Sequence, residues 1–209
     1  MTRPSFRNTS RGGTPRSPSG GGSSVWGSPF SQAQILHLMK TEFARARRHD
    51  LPLAVSVFQV DRLLALVDLY GAELREAVRD ALGRLMVEGT RSSDYVGTSS
   101  DDRFVLLMPH TDGEQAAAVA ERVIQRFGEL SIRARGQELA LMLSAGLATN
   151  ADKETLFFDT LLSQAEVALE WAQRGGRTKV VVFSRERFSS EEGAGEVGLP
   201  PAPSTQEES

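Results

Sequence analysis

The run from Arg91 to Pro109, RSSDYVGTSSDDRFVLLMP, constrains the fold more than any other stretch of this 209-residue chain. Tyr95 and Val96 lead in, the polar knot Thr98–Asp102 turns the chain, and Phe104–Met108 is a near-continuous apolar run closed by Pro109. Such a run predicts a strand buried on both faces, at the centre of a sheet with helices on either side. Two charge clusters frame the hairpin: Arg91 with Asp94 before it, and Asp101, Asp102 and Arg103 at its tip. A hairpin tip held by a rigid sheet presents polar groups to a ligand, so both clusters are candidate sites.

The other segments supply the helices and strands that such a sheet needs. Ser31 caps a helix running to about Arg48, with Ile35, Leu38, Met39 and Phe43 on one face. Leu53–Val60 is apolar throughout and reads as a second central strand. Arg62–Tyr70 and Glu73–Val87 read as two helices split at Gly71, and Thr111 with Glu114 forms a capping box for a helix to about Phe127. Ser131–Ala134 and Leu139–Ala148 read as a hairpin turned at Gly136. A helix then runs from Lys153 to Arg174, with Trp171 and Phe157 expected in the core, and Lys179–Ser184 is the closing strand. This order predicts an α/β fold with a mixed or antiparallel central sheet flanked by helices.

Residues 1–30 are basic and rich in Ser, Gly, Pro and Arg, and residues 185–209 are acidic, with five Glu and no Lys or Arg after Ser190. Both are expected to be disordered tails around one domain at residues 31–184, because neither can bury enough apolar surface to offset its ordering entropy. The net charge of −3 gives no push toward nucleic acid or an anionic membrane. The chain has no cysteine, hence no disulfide framework and no thiolate chemistry. His37, His49 and His110 are scattered without metal-ligand spacing. No apolar run approaches the ~20 residues of a membrane helix, and the N-terminal arginines are followed by no apolar segment of a secretory signal. A soluble cytoplasmic protein without nucleic-acid or membrane partners is the expectation.

The tip sequence SDDRF at Ser100–Phe104, followed by VLLMP, resembles the GGDEF signature of diguanylate cyclases. The resemblance extends from about Gln34 to Phe183 through RARRHDLPLAV, the run Asp68–Gly71, AERV, LSAGLA and GGRTKVVVF. It implies a five-stranded sheet with helices on both faces. Diguanylate cyclases join two GTP molecules into cyclic di-GMP and need carboxylates for Mg²⁺ and a cradle for the triphosphate. At the positions this resemblance assigns to that work, the chain has Gln59 for a metal carboxylate, with Asp61 two residues on. Ser100 and Asp101 replace the turn glycines, and Arg103 replaces the catalytic glutamate, a reversal of charge. Asp102 is retained as a metal carboxylate position, and Arg177 as a phosphate ligand. Leu64 and Gln173 stand for two phosphate lysines, Val67 for the guanine-reading asparagine, and Glu76 for a second guanine-reading carboxylate. The resemblance therefore implies a domain without cyclase activity and without bound Mg²⁺.

The same family carries a product-binding signature, R-x-x-D, a fixed distance before the turn. Here Arg91-Ser92-Ser93-Asp94 stands at that spacing, with Asp94 six residues before Ser100. Arg presents paired N–H donors to guanine O6 and N7, and Asp accepts from guanine N1–H and N2–H. The resemblance adds Arg122 from the helix after the hairpin and Arg45 from the helix before the first strand. It implies a cyclic di-GMP receptor acting through a protein partner, with a ligand-bridged homodimer as the implied assembly. Two other readings stand beside it: a scaffold that has lost both nucleotide sites, and weak GTP binding at the old active site.

Overall fold

The computed structural model describes residues 28–100, 102–151, 155–175 and 180–195. Its centre is a five-stranded sheet built from β1 (Leu53–Val60), β2 (Tyr95–Thr98), β3 (Phe104–Pro109), β6 (Leu143–Thr149) and β7 (Val180–Val182), in the spatial order β2-β3-β1-β6-β7. Only β7 runs parallel to its neighbour, so the sheet is mixed, as the sequence predicts.

β1 alternates its side chains between two cores. Leu53, Val55 and Val57 face α1 (Gln32–His49) and α5 (Phe158–Arg174), where they meet Ile35, Met39, Leu161 and Leu169. Ala54, Phe58 and Val60 face the opposite layer, made by α2 (Leu63–Tyr70), α3 (Ala72–Gly89) and α4 (Gly113–Gly128), where they meet Leu74, Leu82 and Val123. β3 divides in the same way, which is why its apolar run is continuous. α5 lies so close to the sheet that a Cβ on Gly146 of β6 would come within 2.1 Å of the Ala165 carbonyl and the Leu169 amide nitrogen.

Several local expectations are corrected. The run after Gly136 is two strands, not one. Gln137–Leu139 (β5) pairs only with Ile132–Ala134 (β4), and the chain then crosses through Ala140–Met142 to enter the central sheet as β6. The N-cap of α4 is Asp112, whose carboxylate accepts from the Gln115 amide at 2.9 Å, rather than Thr111. α5 begins at Phe158, and Phe157 is 64% exposed rather than a core residue, whereas Trp171 is buried as expected. Residues 185–195 form a helix, α6 (Arg185–Gly195), where a disordered tail was expected. It is seated by aromatic packing: Phe188 lies 5.8 Å from Phe183, which stacks on Trp171 at 5.6 Å, and the Arg187 guanidinium stands 4.7 Å above the Trp171 ring. Phe30 is likewise ordered, pairing with β2 through Phe30 N–H to Val96 O and Thr98 N–H to Phe30 O, both 2.8 Å. Among the described residues no helix is long and apolar enough to cross a membrane.

Candidate functional site

The hairpin tip opens onto a cavity of about 790 Å³ bounded by the end of β1, the start of α2, α3 and the end of α5. Gln59, Asp61, Leu64, Asp102 and Gln173, positions that the resemblance assigns to catalysis and substrate binding, line it. Gln173 donates to the Gln59 side-chain oxygen at 3.1 Å. Ser144 donates to Asp61 Oδ2 at 3.1 Å, while Asp61 Oδ1 is buried with no hydrogen bond. Burial raises the Asp61 carboxyl above its ordinary range, against the opposing pull of Ser144, Gln173 and the Arg62 charge. Asp102, at a left-handed φ of 58°, lies 3.2 Å from Arg75 Nε. The two charges pair, although the N–H is not aligned as a hydrogen bond. Arg103 extends to Glu166 of α5 at 3.2 Å.

The turn itself is closed by Ser99 N–H to Arg103 O at 2.8 Å and Arg103 N–H to Ser100 O at 3.2 Å, with Ser100 exposed. Leu64, in place of a phosphate lysine, is 66% exposed at the cavity mouth. Val67 packs against the core and Glu76 is exposed on α3. Asp101 and Arg177 lie outside the described residues.

This donor set does not fit a magnesium ion. A hard dication takes carboxylate and water oxygens in an octahedron. Gln59 offers a neutral amide already hydrogen-bonded, one oxygen of Asp102 is paired with Arg75, and Asp61 has one buried oxygen without a hydrogen bond. Among the described residues no group of three or more His, Cys, Asp or Glu side chains is placed to hold a metal ion.

The second cluster forms at the end of α3. That helix has no basic residue in its last turn, and its C-terminal carbonyls are served from outside. Arg122 of α4 donates to Gly89 O at 3.2 Å, where a helix C-terminus favours a cation. Arg126, one turn further along α4, lies beside it: its Nη1 is 3.1 Å from where a Cβ on Gly89 would stand, so the glycine makes room for it. The chain then turns tightly. Asp94 N–H donates to Arg91 O and Arg91 N–H donates to Asp94 Oδ2, both at 3.0 Å. Arg91, Ser92 and Ser93 are exposed, whereas Asp94 is only 2% exposed. Burial raises the Asp94 carboxyl; the Arg91 amide, the Arg91 and Arg122 charges and Ser93 pull it back down.

The structure thus brings Arg91, Asp94 and Arg122 together, but the expected pose is corrected in one respect. The Arg91 side chain is exposed, while the Asp94 carboxylate turns inward onto the loop backbone. Arg45 meets the loop on another side, in a cleft of about 430 Å³ shared with Ser92, Ser93 and His110. Its guanidinium is paired with the buried Glu42 at 2.9 and 3.1 Å, and Glu42 also accepts from the Tyr95 hydroxyl at 3.4 Å. That carboxylate, with burial as the larger cause, raises the Tyr95 hydroxyl above its usual range. Sequence reasoning missed Arg126, although its i+4 spacing from Arg122 places both on one helical face. It also missed Arg75 and Glu166, whose partners are far away in sequence.

A five-stranded mixed sheet, helices on both faces and a polar cleft at the tip of the β2–β3 hairpin define a three-layer α/β domain. The family described as "Diguanylate cyclase, GGDEF domain" matches residues 30–179, and the chain belongs to it. The chain is 29% identical over 148 residues to the diguanylate cyclase DosC of Escherichia coli K12, an alignment covering 70% of this chain and 32% of that protein. It therefore spans about a third of that relative's length. The active GGEEF domain of a Vibrio cholerae diguanylate cyclase shares the fold with a TM-score of 0.69 at 21% identity, over 75% of this chain and 98% of that one. The GGDEF domain of DgcB from Caulobacter crescentus, solved in complex with c-di-GMP, does so with a TM-score of 0.69 at 15% identity, over 80% of this chain and 98% of that one.

Proposed function

We propose that this chain is a catalytically inactive GGDEF domain that binds cyclic di-GMP at the α3–β2 loop and signals through altered contact with a protein partner. The observation that carries the reading is the convergence of Arg91 and Arg122 beside Asp94 at the end of α3. Exposed guanidiniums suit both the Hoogsteen edge of guanine and the phosphates of a cyclic dinucleotide. DgcB, with the same fold, was solved with this ligand. Inactivity is supported at the hairpin tip. Arg103 occupies the position of the acid and is paired with Glu166, Gln59 is hydrogen-bonded by Gln173, and Asp102 is paired with Arg75. Loss of preorganised charge at a reacting centre costs orders of magnitude in rate.

The test is calorimetric titration of cyclic di-GMP into the wild type and Arg91→Ala. Saturable binding that weakens roughly tenfold or more in the variant is expected, the cost of one bidentate guanidinium contact at ~1–3 kcal/mol. Equal affinity of the two proteins removes the loop from the reading. Sedimentation with and without ligand reads the accompanying proposal of a ligand-bridged dimer.

A second reading, a scaffold that binds no nucleotide, draws on two observations: the inward-facing Asp94 and the pairing of Arg45 with Glu42. It expects no heat with any guanine nucleotide.

A further inference from the structure

We infer that Leu156 and Phe157, at the entry to α5, anchor a protein-docking surface, and that the partner offers an apolar pocket rimmed by carboxylates. The inference rests on the partner-contact part of the reading above and is independent of its ligand. Leu156 is 49% exposed and Phe157 64%. The backbone that carries them is pinned on three sides. Thr155 before them is buried, and its hydroxyl accepts from the Gln164 side chain at 3.3 Å. Arg47 at the end of α1 donates to the Leu156 carbonyl at 2.8 Å. Phe158 after them packs against the core shared by α1, the sheet and α5. Two large apolar side chains are thus held out in solvent on a fixed mount, so little ordering entropy opposes their use in an interface.

The Phe157 ring does nothing for the fold around it. It belongs to none of the hydrophobic clusters. Phe157 is the N-cap of α5, at φ −131° and ψ 151°, and makes no capping hydrogen bond. Ser, Thr, Asp or Asn there would accept from an amide of the first turn, which a phenyl ring cannot do. A single exposed apolar residue is ordinary, but an adjacent pair, one of them an aromatic at a cap position, has the character of an interface anchor. The charge beside it selects the partner. Lys40 and Arg47 are seven residues apart on α1, so they lie on one face, two turns from each other. Both are exposed, and among the described residues neither is held in an ion pair. The one carboxylate of α1, Glu42, is buried and paired with Arg45. On α5, Asp159 turns its carboxylate onto the Thr160 amide at 2.8 Å. The exposed charge of α1 beside the anchor is therefore positive, and it complements carboxylates around a pocket that receives Phe157.

Two measurements test this, the first without a partner. Phe157→Ser supplies a capping hydroxyl, and it is expected to melt no lower than the wild type, with a rise of about 2–6 °C. A lower melting temperature means that the ring serves the fold, and overturns the inference. In the second, the photo-crosslinking residue benzoylphenylalanine replaces Phe157 in the full chain in its native cells, with Leu69, also exposed, as the comparison site. The protein captured from position 157 alone is purified and titrated into the wild type and variants. A loss of affinity of roughly tenfold or more is expected in Phe157→Ser. Lys40→Glu is expected to slow association severalfold, a difference that high salt removes. The inference is overturned if Phe157→Ser binds that protein as tightly as the wild type, or if Lys40→Glu binds it more tightly. It is equally overturned if the product at 157 is a second copy of this chain, or if none forms there beyond those at Leu69. Cyclic di-GMP affinity is expected to be the same in Phe157→Ser and the wild type, so failure of the receptor reading and failure of this one are told apart.

Discussion

Restoring the family's acid at the hairpin tip should damage this protein rather than revive it. In Arg103→Glu a carboxylate replaces the guanidinium whose Nη1 lies 3.2 Å from Glu166 Oε1. The two side chains are 20% and 30% exposed, between the surface and buried limits. Exposed pairs contribute ~0–1 kcal/mol, and breaking a buried pair costs ~3–5 kcal/mol. The gross attraction at ~4 Å and an effective dielectric of ~20 is about 4 kcal/mol, much of it offset by desolvation. The substitution removes that attraction and puts two anions in contact, so we expect a loss of about 2–3 kcal/mol in urea unfolding. For a domain of this size that is a fall of roughly 4–12 °C in Tm. The charge-swapped double variant Arg103→Glu/Glu166→Arg should recover at least ~1 kcal/mol of it as coupling between the two sites. Arg103→Glu should also form no cyclic di-GMP from GTP. A stability change below ~0.5 kcal/mol, or additive losses in the double variant, would refute the claim that position 103 now serves the fold.

Three further outcomes follow from the same geometry. Gly146→Ala places a methyl group within 2.1 Å of the α5 backbone, and α5 must shift off the sheet; a loss of ~3 kcal/mol or more is expected by denaturant unfolding, and a near-neutral effect would contradict the close approach. Asp61 has a carboxyl raised by burial, so its ionisation costs stability: its contribution is full below the ordinary value of 3.8 and is lost as pH rises through the folded-state value. Asp61→Asn should therefore melt higher than wild type at pH 7, the difference vanishing as pH falls below that window, and a lower melting temperature at pH 7 would reverse the sign. Phe188→Ala removes an aromatic partner from Phe183, and a loss of roughly 1–2 kcal/mol is expected for this half-buried ring; no change would mean that α6 adds nothing to the domain.

The sheet was legible because its strands carry unbroken apolar runs. Leu53–Val60 was bounded to the residue, and so was the onset of the buried strand at Phe104. The break between β5 and β6 was not, since Leu139-Ala140-Leu141-Met142-Leu143 is apolar on both sides of it. Hydrophobic pattern does not say when a chain leaves one sheet for another. The helix α6 was hidden by its acidic, Gly-containing composition. What seats it is tertiary, the docking of Phe188 and Arg187 on the Trp171–Phe183 stack. At the site, Arg91 and Asp94 were legible as a pair because they are local, and Arg122 only through the resemblance. The direction in which Asp94 points was not legible: a carboxylate three residues after an arginine can face a ligand or close a turn, and burial decided which.

The side chains around the hairpin-tip cavity are engaged with one another in pairs. Gln59 is hydrogen-bonded by Gln173, two positions where the resemblance expects a carboxylate and a lysine. A carboxylate or a lysine placed at one of the two positions alone would set a charge against an amide. Arg103 and Glu166, and Arg75 and Asp102, are opposite charges held at 3.2 Å, so removing either member leaves the other uncompensated in a half-buried place. Stability therefore opposes each single step back toward the family pattern. The cluster at the end of α3 carries no such penalty. Arg91, in the loop after α3, and Arg126 of α4 are exposed cations, and retaining them costs the fold little. The balance favours a domain that keeps the paired side chains of its hairpin-tip cavity together with one charged face at the end of α3.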